Sequence, residues 1–215
     1  MPIRRKFQTA HRALEGELLR LIRIDIENQR RRSTTAGRPS AGEISPKQLY
    51  LLNESVFFAA YRAFENYMEE CFILYTMGVA NLSGFCANSY LASRNYNKNR
   101  EIIKSGNRYL DWNTPETLIS RSELLLKDGE PVKSVLVAKT APMRRLKRIR
   151  NHIAHNSEES LLDFKKVLRA ELSALPISLP SAGEFLQMRL PRSRTERFLQ
   201  HFIQEMRLIG SDLAG

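Results

Sequence analysis

Hydrophobic residues recur along this chain at the spacing of helices. From Phe7 to about Asn28, Phe7, Ala10, Leu14, Leu18, Leu21 and Ile22 repeat every three or four positions and predict a first helix. It runs into Arg30-Arg31-Arg32, and the following "STTAGRPSAGEIS" reads as a loop, because Ser, Thr, Gly and Pro favour turns over packed elements. Ser45-Pro46-Lys47-Gln48 has the chemistry of a helix start. Ser45 caps, Pro46 fits the first turn where no N–H is needed, and Gln48 completes a capping box. A long helix follows to about Met77, before Gly78, on the order of 45 Å at 1.5 Å per residue. Val56, Phe57, Ala60, Phe64, Tyr67, Met68, Cys71 and Phe72 form its apolar face.

Residues 79–113 mix polar turn formers with short helical pieces. Thr114-Pro115-Glu116 opens another helix through Leu126, which Asp128-Gly129 stops. Residues 131–154 place apolar and basic side chains at helical spacing; no convincing strand alternation is present, and "VKSVLVAKT" is the one place where a strand competes. Ser157 caps "EESLLDFKKVLRAEL"; Pro176, Pro180 and Gly183 mark a loop; Thr195 is expected to cap a last helix, "ERFLQHFIQEMRLIG". No internal repeat is present. The pattern predicts an all-α chain, a helical bundle with a long central helix and an N-terminal helix. One domain is expected over residues 1–215, with the first helix and loop over 1–45 and the core over 46–215.

The chain of 215 residues is 42% hydrophobic, enough to bury a core, and its 34 Lys and Arg exceed its 23 Asp and Glu, for a net charge of +11. Such a field attracts polyanions: RNA, DNA or an acidic membrane surface. Cys71 and Cys86 are the only cysteines, which suits a reducing cytoplasm better than a disulfide framework or a zinc site. "MPIRRKFQTAHRALEGELL" has no continuous apolar run and does not read as a signal peptide. The apolar stretches "VFFAAY" and "FILYTMGVA" are broken by Arg62, Glu65, Glu69 and Glu70, so no membrane span is expected.

Two of the four histidines fall within Arg148–Asn156, "RIRNHIAHN", among arginines. With Arg150 at zero on a helical wheel, Lys147 falls near about 60°, Asn151 about 100°, Arg144 about 120°, His155 about 140° and Arg148 about 160°. Leu146, Ile149 and Ile153 gather between about 260° and 320°, so the helix has an apolar stripe and a cationic arc. Cations around His155 disfavour its protonated form. A neutral base beside anion-binding guanidinium groups is what cleavage of an RNA phosphodiester requires. The plainer alternative is a solvated basic face paired with acids such as Glu158 and Glu159.

Arg150-Asn151-x-x-x-His155, with Ile153-Ala154 before the His and Asn156 after it, resembles the R-x4-6-H motif of HEPN domains, with the flavour of the RiboL-PSP-HEPN group. The resemblance spans roughly Gln48 to Leu208. "FFAAYRAFENYMEECF", "LDWNTPETL" and the helix after "HNSEES" share in it. It implies an α-helical domain that pairs as a homodimer with two motif helices across a cleft. Many members are metal-independent endoribonucleases, often toxins or RNA-directed defence proteins, and others are non-catalytic. Arg150 and His155 match the two defining residues and Asn151 the polar residue after the Arg. Arg148 meets the looser spacing but lacks an Asn behind it. His152 sits at a variable position and is expected only to touch substrate, as are Arg144, Lys147 and Arg148. Glu65 occupies a place where relatives often carry an acid, read here as structural. The implied partners are RNA, a second copy of the chain and, for a toxin, an antitoxin protein; no cofactor and no metal are implied.

His152, His155 and Glu158 form an H-x-x-H-x-x-E pattern, but Ser157 starts a new element and carries Glu158 away from the two histidines. No G-x-x-x-x-G-K-[ST], H-E-x-x-H or G-x-S-x-G occurs, which leaves P-loop, zinc-protease and serine-hydrolase chemistry unsupported. No helix-turn-helix or zinc-finger pattern favours DNA. A non-catalytic helical module that binds RNA, nucleotide or a protein through the same face is the main alternative.

Overall fold

The computed structural model describes residues 6–33, 39–105, 112 and 114–215. Among them the chain is all-α, with nine α-helices and no β-strand: α1 (Phe7–Arg30), α2 (Pro46–Thr76), α3 (Tyr96–Lys104), α4 (Pro115–Leu125), α5 (Val132–Ala138), α6 (Thr140–His155), α7 (Glu158–Leu172), α8 (Ala182–Gln187) and α9 (Phe198–Ala214). Part of the expected loop after α1 (residues 34–38) and of "LDWNTPETL" (residues 110, 111 and 113) lies outside the described residues.

Local chemistry sets several ends. At α2 the Ser45 N–H donates to Gln48 Oε1 at 3.0 Å and the Gln48 N–H to Ser45 Oγ at 3.3 Å, the reciprocal bonds of a capping box. At α7, Ser157 and Ser160 make the same exchange. "VKSVLVAKT" is helical through α5 and into α6. Val132 and Leu136, four positions apart, are its buried residues, which is the helical period and not the alternation of a strand.

Two ends differ from expectation. Gly183 lies inside α8 and not in a loop, because it meets the backbone of Tyr50: a Cβ there would sit 2.1 Å from the Tyr50 carbonyl oxygen. The glycine serves close approach here, and its N–H donates to Glu54 at 2.8 Å. The last helix starts at Phe198 and not behind Thr195. The backbone of residues 189–197 is held instead by Leu190 N–H to Glu196 O at 3.0 Å and Phe198 N–H to Met188 O at 3.0 Å.

The residues group into two compact units, one from the described parts of Met1–Gly16, Ala63–Arg144 and Met206–Gly215, the other from Glu17–Arg62 and Arg145–Glu205. In the first, Phe7 packs on Tyr75 with ring centres 4.6 Å apart, and Phe72 meets Trp112 edge-on at 5.8 Å. Gly210 of α9 lets Leu14 close in, and the Tyr67 hydroxyl donates to the Gly210 carbonyl at 2.9 Å. Cys71 is fully buried there and both cysteines are free thiols; burial pushes the Cys71 thiol well above the ordinary range, so it acts as a small apolar side chain.

The second unit is built on a file of aromatic rings. Phe164 meets Phe185 at 5.6 Å, Phe185 stacks on Phe198 at 4.4 Å, Phe198 on Phe202 at 5.7 Å, and Phe57 meets Phe202 at 6.3 Å. Leu146 and Ile149 of α6 and Leu168 of α7 are fully buried, and Val167 nearly so. No described helix is long and apolar enough to cross a membrane.

Candidate nucleic-acid interface

The polar arc sits on the second half of α6, fixed by the burial of Leu146 and Ile149 on the opposite side. The helix stops at His155 because Asn156 adopts a left-handed conformation, φ 43°, which Asn tolerates through its short polar side chain. The Asn156 N–H closes the last turn on the His152 carbonyl at 3.0 Å, and Ser157 caps α7 immediately afterwards. This corner leaves His155 exposed on the final turn.

Arg150 is half-buried and held on two sides. Its guanidinium lies over the Phe58 ring of α2, 5.6 Å from the ring centre, and its Nη1 donates to Asn151 Oδ1 at 3.2 Å. Its Nε is buried without a hydrogen-bond partner. A guanidinium braced by a ring and a neighbouring amide loses less freedom on meeting a phosphate than a solvated one does. Asn151, half-buried, has its carbonyl oxygen engaged by Arg150 and not by His155.

The other cations of the arc are arranged differently. Arg148, half-buried, faces Asp163 of α7 at 4.0 Å. Lys147 is half-buried as well. Arg144 belongs to the first unit, where its Nε donates to Glu116 at 2.6 Å. Arg145, half-buried and not prominent in the sequence pattern, donates to both Glu171 and Glu205 at 2.5 Å. Glu158 and Glu159 are exposed in the first turn of α7. Glu65 is half-buried on α2.

His152 stands apart from the arc. It is 8% exposed, stacks on Phe164 with ring centres 4.6 Å apart, and places Nδ1 3.4 Å from Ser160 Oγ. Desolvation in that position holds its pKa below the ordinary imidazole range. The expectation that His152 touches substrate therefore meets a side chain that terminates the aromatic file. On the wheel His152 falls at roughly 200°, on the flank of the apolar stripe, and Arg150 flanks the other side. Both flanking side chains end up against phenyl rings, and Phe58, the platform for Arg150, goes unnoticed in the sequence reading. Its only signal there is its place among the apolar residues of α2.

Among the described residues no group of three or more His, Cys, Asp or Glu could hold a metal ion, so His152, His155 and Glu158 do not converge as a donor set. The arrangement offers an exposed imidazole, a braced guanidinium and further cations on one helical surface. Comparison with protein-family models, with curated proteins and with solved structures returns no match.

Proposed function

We propose that the chain is a metal-independent endoribonuclease that cleaves RNA through attack of a ribose 2′-OH on the adjacent phosphate. The observation that carries this reading is the pairing on one helix of an exposed His155 with an Arg150 braced by Phe58 and Asn151. The resemblance of Arg150-Asn151-x-x-x-His155 to the HEPN motif supports it.

In the proposed reaction His155 takes the 2′-OH proton as the oxygen attacks phosphorus. Arg150 holds the phosphate and stabilises the charge that grows on its oxygens. Asn151 positions Arg150. The 5′-oxygen leaves with a proton, which a second copy's motif helix supplies, so the active form is a homodimer. The products are a 2′,3′-cyclic phosphate and a 5′-hydroxyl. Such an activity fits a cytoplasmic toxin or an RNA-directed defence protein, restrained in a toxin by an antitoxin.

A second reading is a non-catalytic module that binds RNA, nucleotide or a partner protein on the same surface. The contact of Arg148 with Asp163 favours it, since it leaves the arc one cation fewer for transition-state charge. One experiment separates the two. Wild type and His155→Ala are incubated with total RNA and with single-stranded DNA in the presence of a chelator, and RNA ends are analysed. The nuclease reading expects cyclic phosphate ends from wild type alone and intact DNA. Equal cleavage by the variant removes His155 from the mechanism, and RNA binding without cleavage selects the module.

A further inference from the structure

A cavity of about 590 Å³ opens in the second unit, away from the arc, where the end of α1, the start of α2, α8 and the approach to α9 meet. Its size is that of a small-molecule site, on the order of 300–1,000 Å³. The lining residues Gln29, Gln187, Arg197 and Gln200 join a polar network with buried Asp25 and Asn53 beneath them. Asp25, 1% exposed, accepts from both Nη1 and Nη2 of Arg197, and Gln200 Nε2 donates to the same carboxylate at 3.3 Å. Gln187 Oε1 accepts from Asn53 at 3.0 Å, Gln29 at 2.9 Å and Arg197 at 3.3 Å. Buried polar groups satisfied in this way form a fixed floor and hold one geometry.

The rim is cationic and uncommitted. Arg30, Arg32 and Arg189 line the opening and are exposed. Arg32 and Arg189 form no ion pair among the described residues, and Arg30 has only a 3.5 Å contact with exposed Glu27. Glu184 is the one carboxylate among the cavity-lining residues, and the charge of Arg197 is spent on Asp25. Three guanidinium groups against one carboxylate favour a phosphate at the mouth. Tyr50, half-buried, lines the cavity with Ile26 and Met188, giving apolar and aromatic surface for a base. Gln200 turns its amide nitrogen to Asp25, which leaves its carbonyl oxygen as an acceptor.

We infer that this cavity binds a phosphorylated nucleotide, with the phosphate on Arg32 and Arg189 and the base against Tyr50. The inference stands independently of the chemistry assigned to α6. The ligand is either a free mononucleotide or one nucleotide of an RNA strand, which share this chemistry.

The test is calorimetric titration of the full chain with AMP, adenosine, inorganic phosphate and a hexaribonucleotide, using wild type, Arg32→Ala/Arg189→Ala, Tyr50→Leu and His155→Ala. Both arginines are exposed, so the double variant should melt with wild type. AMP should bind saturably and about tenfold or more tighter than to the double variant, because two charge-assisted contacts are lost. Tyr50→Leu should weaken AMP but not phosphate, and adenosine should bind less than AMP. If the hexamer binds in this pattern and AMP does not, the nucleotide belongs to a strand. His155→Ala should bind AMP like wild type, which separates this site from the α6 surface. The inference is overturned if neither AMP nor the hexamer binds, or if whichever of them binds holds the double variant as tightly as wild type.

Discussion

Arg30-Arg31-Arg32 at the end of α1 and the arginines of α6 are equally basic as sequence, and they differ in the fold by what faces them. In α6, Arg145 is shared between Glu171 and Glu205, Arg148 meets Asp163, and Arg150 lies on Phe58. At the end of α1, Arg31 donates to the Gly42 carbonyl at 3.0 Å, while Arg30 and Arg32 remain exposed at the mouth of a cavity. The acids that neutralise α6 come from positions 116, 163, 171 and 205, and the acid that fixes the cavity floor, Asp25, reaches across to Arg197. A count of charges therefore measures a field and not the number of cations open to a ligand.

Disruption of the cavity floor gives the largest expected effect. Asp25→Ala strands the Arg197 guanidinium, 10% exposed, and should cost about 3–5 kcal/mol, read as a lower urea midpoint. An unchanged midpoint would mean that Gln187 alone satisfies Arg197. Next, Arg150→Ala should lower single-turnover RNA cleavage by about 10²–10³ with a small loss of stability, as expected for a donor to transition-state charge. Full activity in that variant would place the phosphate on another cation.

A pH series sharpens the contrast within α6. His152 has a folded pKa below its ordinary 6.5, so between the two values the unfolded chain holds the extra proton. Stability contributed by neutral His152 is thus complete above about 6.5 and falls as pH drops below it. Urea midpoints of wild type should decline from pH 7.5 to 5 more steeply than those of His152→Phe. Identical slopes would show that stacking on Phe164 leaves proton uptake unaffected. The smallest effect is Arg148→Ala, whose partly exposed pair with Asp163 should contribute under about 1 kcal/mol to the thermal midpoint. If Arg148 also meets phosphate, the salt dependence of RNA binding should fall by about one unit of slope.

The helices were legible in the sequence wherever local chemistry decides. Ser45 with Gln48, and Ser157, announce the starts of α2 and α7 through bonds within four residues. The start of α9 was not legible, because Arg197 is committed to Asp25, 172 positions away, and to the backbone pairing with Arg189. Gly183 reads as a loop residue in the sequence for a similar reason, since nothing nearby indicates the close approach of Tyr50. At the candidate site the wheel separates buried Ile149 from exposed His155, but His152 and Arg150 lie on its flanks. There the partner ring decides burial, Phe164 for one and Phe58 for the other.

In the proposed reaction a ribose hydroxyl, activated by His155 without a metal ion, is the nucleophile. The most direct measurement uses one oligoribonucleotide that wild-type protein cuts in chelator, and the same strand with a single 2′-deoxy nucleotide 5′ to the cut. A 2′-hydroxyl nucleophile gives a cyclic phosphate end on the first strand and no cut at that position in the second. Equal cleavage of both strands would contradict it.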